Sequence, residues 1–139
     1  MSPFDQLTNA YSDAVYAKDQ DAFLALYAPD VIVFDTWDKW LHPDRHAWAE
    51  VVKAWFTGLG EERVKVSFSP VTSSIDGDSA FFCATTRYAA IDAAGNELRS
   101  MENRLSWVLK RNAEGWRIVH EHTSAPADPG TLQVRLRRP

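Results

Sequence analysis

A chain of 139 residues with 45% hydrophobic and 24% charged side chains has the composition of a globular domain, long enough to bury a core without a disulfide or structural metal. A formal net charge of -4 speaks against nucleic acid as a partner, and no stretch approaches the roughly 18 apolar residues of a membrane span, so neither partner is expected. Met1 to Asp5 lack a basic region followed by an apolar run, which makes the cytoplasm the expected location. Cys83 is the only cysteine, so an internal disulfide is impossible, and its setting in Ala80-Phe81-Phe82-Cys83-Ala84 predicts a buried structural thiol within a strand. No repeat or composition break is visible, and residues 1–139 are expected to form a single domain.

In chain order, Phe4, Leu7, Tyr11, Ala14 and Val15 recur at helical spacing behind Pro3, which suits a first helical turn. Asp19-Gln20-Asp21 supplies the cap of a short second helix with Phe23, Leu24 and Tyr27 on its inner side, stopped by Pro29. Val31 to Phe34 reads as a short strand. Pro43 and Asp44 open a third helix in which Trp48, Val51, Val52, Trp55, Phe56 and Leu59 form one apolar stripe, closed by Gly58 and Gly60. From Val64 onward the pattern turns extended, with runs over 64–75, 79–91, 98–110 and 115–124. The turns between them fall at Asp76-Gly77-Asp78, Ala94-Gly95-Asn96 and Asn112-Ala113-Glu114-Gly115. Three helices, one early strand and a four-stranded meander give an α+β fold with helices packed on one face of a curved, mostly antiparallel sheet. Leu132 to Pro139 alternate apolar and basic residues, which suits either an edge strand or a solvated tail.

Alternation nominates the site. In the last run Trp116, Ile118, His120, His122 and Ser124 share a face under strict period two, so an apolar start and a polar end would form the floor of a pocket. In the run before it, Met101, Asn103, Leu105, Trp107 and Leu109 form the inward set, with Asn103 a polar group among apolar ones. Phe82, Ala84, Thr86 and Tyr88 oppose Phe81, Cys83, Thr85 and Arg87, and either set can face inward. An inward Arg87 would anchor a ligand carboxylate; an outward one would pair with Glu102. Trp37 and Trp40, in the loop after the first strand, are rigid walls for a planar ligand or close the mouth of the fold. Trp55 joins them from the third helix. His120 and His122 could work as acid and base, whereas a metal between them would want a third ligand that the spacing does not supply. No metal and no cofactor is expected. His42-Pro43-Asp44-Arg45-His46 is explained by a loop and a helix start.

The order of elements, with Leu26-Tyr27-Ala28-Pro29-Asp30-Val31 early and Trp116 to Ser124 late, resembles the nuclear-transport-factor-2-like superfamily in its SnoaL-like branch. Residues 76–126, with Gly77-Asp78-Ser79-Ala80, Asp92-Ala93-Ala94-Gly95 and His-x-His-x-Ser before Ala125-Pro126, also resemble the association domain of calcium/calmodulin-dependent protein kinase. The resemblance implies a cone-shaped fold around a pocket, commonly in a homodimer made through the outer sheet face. Its ketosteroid isomerase relatives imply proton transfer by an aspartate base, with a tyrosine and a protonated aspartate donating to an enolate oxygen. On that pattern Asp35 takes the base position and Tyr11 that of the tyrosine. Asn103 is the nearest counterpart of the missing acid, a weaker donor than a carboxylic acid. Two functions remain open at this level. One is an enzyme acting on an apolar carbonyl compound through Asp35, Tyr11, His120 or His122. The other is a noncatalytic ligand-binding or oligomerisation domain. Either would hold a small apolar or carboxylate-bearing ligand among Trp37, Trp40, Trp55, Arg87, Met101, Asn103, Trp107 and Ser124.

Overall fold

The computed structural model describes residues 2–139. Helix α1 (Pro3–Ala17) starts where Ser2 accepts a hydrogen bond from the Asp5 amide at 3.1 Å, with Pro3 in the first turn. It ends at Lys18, whose left-handed backbone (φ 55) lets its N–H reach back to the carbonyls of Ala14 and Val15. Asp19 caps α2 (Gln20–Leu24) and Asp44 caps α3 (Arg45–Gly58), each accepting from the amide three residues on. These are the three helices that the apolar spacing predicts.

The strands are β1 (Tyr27–Phe34), β2 (Arg63–Asp76), β3 (Ser79–Ile91), β4 (Glu97–Asn112) and β5 (Gly115–Ser124). They form one sheet in the order β1-β5-β4-β3-β2, antiparallel except for the parallel β1–β5 pair at one edge. The β2–β3 hairpin closes through two residues between Asp76 and Ser79, and Gly77 (φ 63) takes the positive φ that such a tight turn needs. β1 begins at Tyr27, earlier than the Val31 start expected, because Tyr27 already pairs with Ile118; the register then shifts between Tyr27 and Ile32. That irregularity leaves Pro29 and Asp30 exposed, where the missing proline N–H breaks no ladder bond.

The helices cover the concave face, and the narrow end of the fold is filled with aromatic rings. Tyr11 packs against Phe23, Phe68 and Trp107 at centroid distances of 4.8, 5.4 and 5.9 Å, and Phe82 lies 5.3 Å from Trp107. The inward set of β4 is as expected: Asn103, Leu105, Trp107 and Leu109 are buried. On β3 the inward set is Phe82, Ala84, Thr86 and Tyr88, which puts Cys83 on the outer face, half-buried and 3.4 Å from the Ser106 hydroxyl, and not inside the core.

β5 departs from strict alternation. Leu109 pairs with Ile118 but Val108 pairs with His120, so Val119 is an extra residue, a β-bulge that shifts the phase of everything after it. Ile118 points inward, and beyond the bulge the inward residues are Glu121 and Thr123. His120 and His122 lie on the outer face around Phe34, with ring centroids 5.0 and 5.3 Å from it, and His120 Nδ1 is 2.7 Å from the Ile32 carbonyl. The two histidines therefore do not floor a pocket. Ile118 and His122, which simple alternation puts on one face, should respond oppositely to truncation. Ile118→Ala should cost about 2–5 kcal/mol of stability, and His122→Ala should stay within about 0.5 kcal/mol, both read from urea denaturation.

Candidate functional site

At the wide end the sheet and helices enclose a cavity of about 630 Å³. Its apolar walls come from α3 (Trp48, Val51, Trp55), from Leu59 just beyond it, from Met101 on β4, from the loop residue Trp37, and from Leu136 near the C-terminus. Its polar groups are Tyr11, Asp35, Tyr88, Asn103, Glu121 and Thr123, with Arg99 and Ser100 beside them. Sequence places them together for a simple reason: β4 runs from Glu97 to Asn112 with alternate residues inward, so Met101 and Asn103 meet the cavity while Trp107 and Leu109 fill the core.

Glu121 is the most unusual group. It is 1% exposed, and its Oε1 accepts from the Tyr27 hydroxyl at 2.7 Å and from Trp107 Nε1 at 2.9 Å. Burial pushes its carboxyl up to about 7, and the charge of Asp35 adds to the rise, against the two hydrogen bonds, which favour the ionised form. Because both donors converge on Oε1, a proton on this acid belongs on Oε2. Tyr27 in turn is held well above its ordinary range, first by burial and then by the charge of Glu121, so it remains a donor.

Asp35 follows β1 and is half-buried. Burial raises its carboxyl from the usual aspartate value, while a hydrogen bond from the Thr123 hydroxyl at 3.1 Å and backbone N–H groups of the loop work the other way. Thr123 accepts from both the amide and the hydroxyl of Thr36 at 2.9 Å, and Thr36 accepts from Asn103 Nδ2 at 3.4 Å. A continuous polar chain thus leads from Asn103 through Thr36 and Thr123 to Asp35. Asn103 Oδ1 is buried without a partner, an acceptor left for whatever fills the cavity. The Tyr11 and Tyr88 hydroxyls stand 3.4 Å apart, and burial drives both phenols up, so both are protonated donors at neutral pH.

Of the residues the sequence nominates, Asp35, Tyr11, Trp37, Trp55, Met101 and Asn103 meet at this cavity. Trp107 lies fully buried beneath it as the Glu121 donor. Trp40 is 94% exposed and stands away from it. Ser124 accepts from Arg104 Nε at 3.1 Å outside the cavity. Arg87 is on the outer face, ion-paired with Glu97 at 2.8 Å, so it is no anchor for a ligand carboxylate. His42 is buried against Trp48 and bridges Val33, in keeping with a structural role. Glu121, Thr36, Thr123 and Tyr88 were not legible as site residues. The one available signal for Glu121 was the demand of Tyr27 and Trp107, two inward side chains with donors to satisfy. Among the described residues no group of three or more His, Cys, Asp or Glu side chains could hold a metal ion.

The raised Glu121 carboxyl ties stability to pH. Between about 4.5 and about 7 the unfolded chain has lost this proton while the folded chain keeps it, so the contribution is full below the lower value and is lost as pH rises through the upper one. The loss is on the order of 3 kcal/mol at most. Glu121→Gln should abolish this component: from pH 5 to pH 8 the wild-type melting temperature should fall relative to that of the variant, and parallel curves would mean that the buried acid is ionised throughout.

No curated protein matches this chain. The structure is similar to an NTF2-like protein of unknown function from Pseudomonas putida KT2440, with a TM-score of 0.84, 23% identity, and coverage of 98% of this chain and 94% of that one. It is similar to a calcium/calmodulin dependent protein kinase II association domain-type protein from Xanthomonas campestris (TM-score 0.73, 20% identity, 88% and 85% covered). It is also similar to a ketosteroid isomerase-like protein from Erwinia carotovora atroseptica (TM-score 0.67, 20% identity, 86% and 91% covered). At these identities the likeness shows the cone-like NTF2 fold. The model of the SnoaL-like domain matches residues 5–128, and the chain belongs to that family.

Proposed function

We propose that the protein is a small-molecule enzyme that moves a proton at the carbon next to a carbonyl group, on a neutral apolar compound held in the cavity. The observation that carries this reading is that two carboxyl groups face one apolar cavity from different surroundings. Asp35 is half-buried and partly solvated, whereas Glu121 is sealed beneath Tyr27 and Trp107 and has a carboxyl near 7. Surroundings that separate two acids in this way divide the roles of base and acid between them.

In the proposed step Asp35 takes the proton from carbon, the electron pair of the C–H bond becomes a carbon–carbon double bond to the carbonyl carbon, and the carbonyl π pair moves onto the oxygen. Protonated Glu121, Tyr88 or Asn103 Nδ2 donates a hydrogen bond to the oxygen as charge builds there. Return of the proton from Asp35 to a different carbon completes an isomerisation with no net uptake of protons. Thr123 holds the Asp35 carboxyl in place, and Trp37, Trp48, Trp55 and Met101 exclude water from the reacting atoms. The charge balance argues for a neutral ligand: of the cavity residues only Arg99 is cationic, and it is tied to Glu62 at 2.7 Å. A carboxylate would meet Asp35 and Glu121 without a counterion.

A homodimer made through the outer sheet face accompanies this reading. Phe81, Val108, Ile32 and Phe34 are 43%, 39%, 43% and 37% exposed there, which leaves apolar surface for a second copy to cover. The noncatalytic alternative shares the same cavity and the same dimer, and kinetics separates the two.

The test uses a panel of β,γ-unsaturated cyclic ketones, with conjugation followed by ultraviolet absorbance and exchange at the adjacent carbon followed by NMR in D2O. Asp35→Asn should lower turnover roughly 100- to 10,000-fold. The wild-type profile should be bell-shaped, falling on the acid side as Asp35 gains a proton and above about pH 7 as Glu121 loses the proton it donates. Glu121→Gln should remove the alkaline limb. Retained binding with no exchange in the wild type, or undiminished exchange in Asp35→Asn, would transfer the protein to the noncatalytic class.

A further inference from the structure

The family match ends at residue 128, yet the chain continues for a segment that is built and docked. β5 stops at Ser124, paired with Arg104, so the part of β4 that precedes Arg104 has no β5 neighbour on that edge. The last residues supply one. Ala127 bridges Val134, the Asp128 amide donates to the Gln133 carbonyl at 2.7 Å, and the Arg135 amide donates to the Pro126 carbonyl at 2.8 Å. The Asp128 carboxylate gathers the amides of Gly130 and Thr131 and the guanidinium of Arg135. The result is a compact hairpin, neither a solvated tail nor a regular edge strand.

Beyond it the Glu102 amide donates to the Leu136 carbonyl at 2.6 Å, and Arg138 pairs with the Glu102 carboxylate. These contacts set the half-buried Leu136 side chain into the cavity wall with Arg99, Ser100 and Met101. The wall is thus rigid on the sides built from α3 and β4. On the side of Leu136 it hangs from one main-chain hydrogen bond and from the contacts of Arg138, itself 55% exposed, with Glu102. Contacts of that kind open on a faster timescale than a sheet or a packed helix does.

We propose that residues 126–139, the hairpin and the segment that follows it, are a movable wall of the ligand site, latched by Glu102 and Arg138, with Leu136 as the side chain that limits the size of the ligand and its passage in and out. The inference rests on the cavity being the ligand site, as in the proposed function, and does not need the proton transfer. Leu136 is a specificity-determining residue in this arrangement and not a catalytic one.

The experiment is stopped-flow binding of the neutral apolar dye N-phenyl-1-naphthylamine to the full chain, to Arg138→Ala, and to a chain ending at Gly130, each checked by thermal melting. Loss of the latch should raise the association and dissociation rates together, about threefold in Arg138→Ala and about tenfold or more in the shortened chain. Leu136→Ala should favour a bulkier neutral dye, Nile red, over the smaller one. Hydrogen exchange at the Glu102 amide should quicken in Arg138→Ala, a readout that holds even if the shortened chain does not fold. A dye that enters only the shortened chain also supports the proposal. Rates within twofold of wild type in both variants, or a Glu102 amide equally protected in Arg138→Ala, overturn it, as does a dye that enters no form. Repeating the measurement in an Asp35→Asn background separates the two readings: Arg138→Ala should still raise both rates by the same factor there although turnover is lost.

Discussion

The buried Glu121 carboxyl, shared between Tyr27 and Trp107, is the constraint around which the rest of the structure is arranged. It ties β1, β4 and β5 together at the level where the aromatic core gives way to the cavity. An ionised carboxylate at this depth would be costly, and protonation below about pH 7 avoids the charge while leaving Oε1 to accept from both donors. Stability alone does not account for the acid. Three apolar side chains at 27, 107 and 121 would fill the same volume without polar groups to satisfy, whereas removing Glu121 alone would orphan two buried donors. Beyond packing, the triad places a titratable carboxyl at the cavity floor.

The β-bulge at Val119 makes this placement possible. Without the extra residue, the strand phase that buries Ile118 would also turn His120, His122 and Ser124 inward and put Glu121 on the solvent side. One residue of slack therefore exchanges two imidazoles for a carboxyl and a threonine. The same shift gives Asp35 its partner, since Thr123 is the inward residue next along the strand. β1 carries its own irregularity before Ile32, so both strands of the parallel edge depart from regular pairing, and both acids sit on these strands or directly beyond them. Bulges near a functional site commonly serve to re-aim side chains in this way.

The fold was largely legible in the sequence because its signals are local. Pro3 in a first helical turn, caps at Asp19 and Asp44, the apolar stripe of α3, and turn residues between runs of period two all report on a few neighbouring residues. The site was legible where it lies on regular elements: Met101 and Asn103 follow from alternation on β4, Trp55 from the stripe of α3. It was illegible where tertiary pairing sets the phase. Val119 looks like any other strand residue, and only its position against Val108 and Leu109 makes it a bulge. The two faces of β3 were poorly distinguished in sequence, each mixing aromatic, small and polar residues, so the outward position of Arg87 was fixed by the packing of Phe82 and Tyr88 and not by its own neighbours. Leu136 was hidden for a third reason: its role depends on an unpaired stretch of β4 some thirty residues earlier.

The electrostatics of the cavity follow from the same geometry. Arg87 is spent on Glu97 outside and Arg99 on Glu62 at the edge, which among the described residues leaves acids and no free cation facing the interior. A ligand that displaces water from such a space deepens the burial of both carboxyls, and each then holds its proton more strongly. For Glu121 that change favours the donor state that the proposed chemistry needs. For Asp35 it works against the base, and the Thr123 hydroxyl together with the loop amides opposes it in part. The hydrogen-bond chain through Thr36 to Asn103 thus has a physical role, because it orients the Thr123 hydroxyl that opposes the rise burial imposes on Asp35.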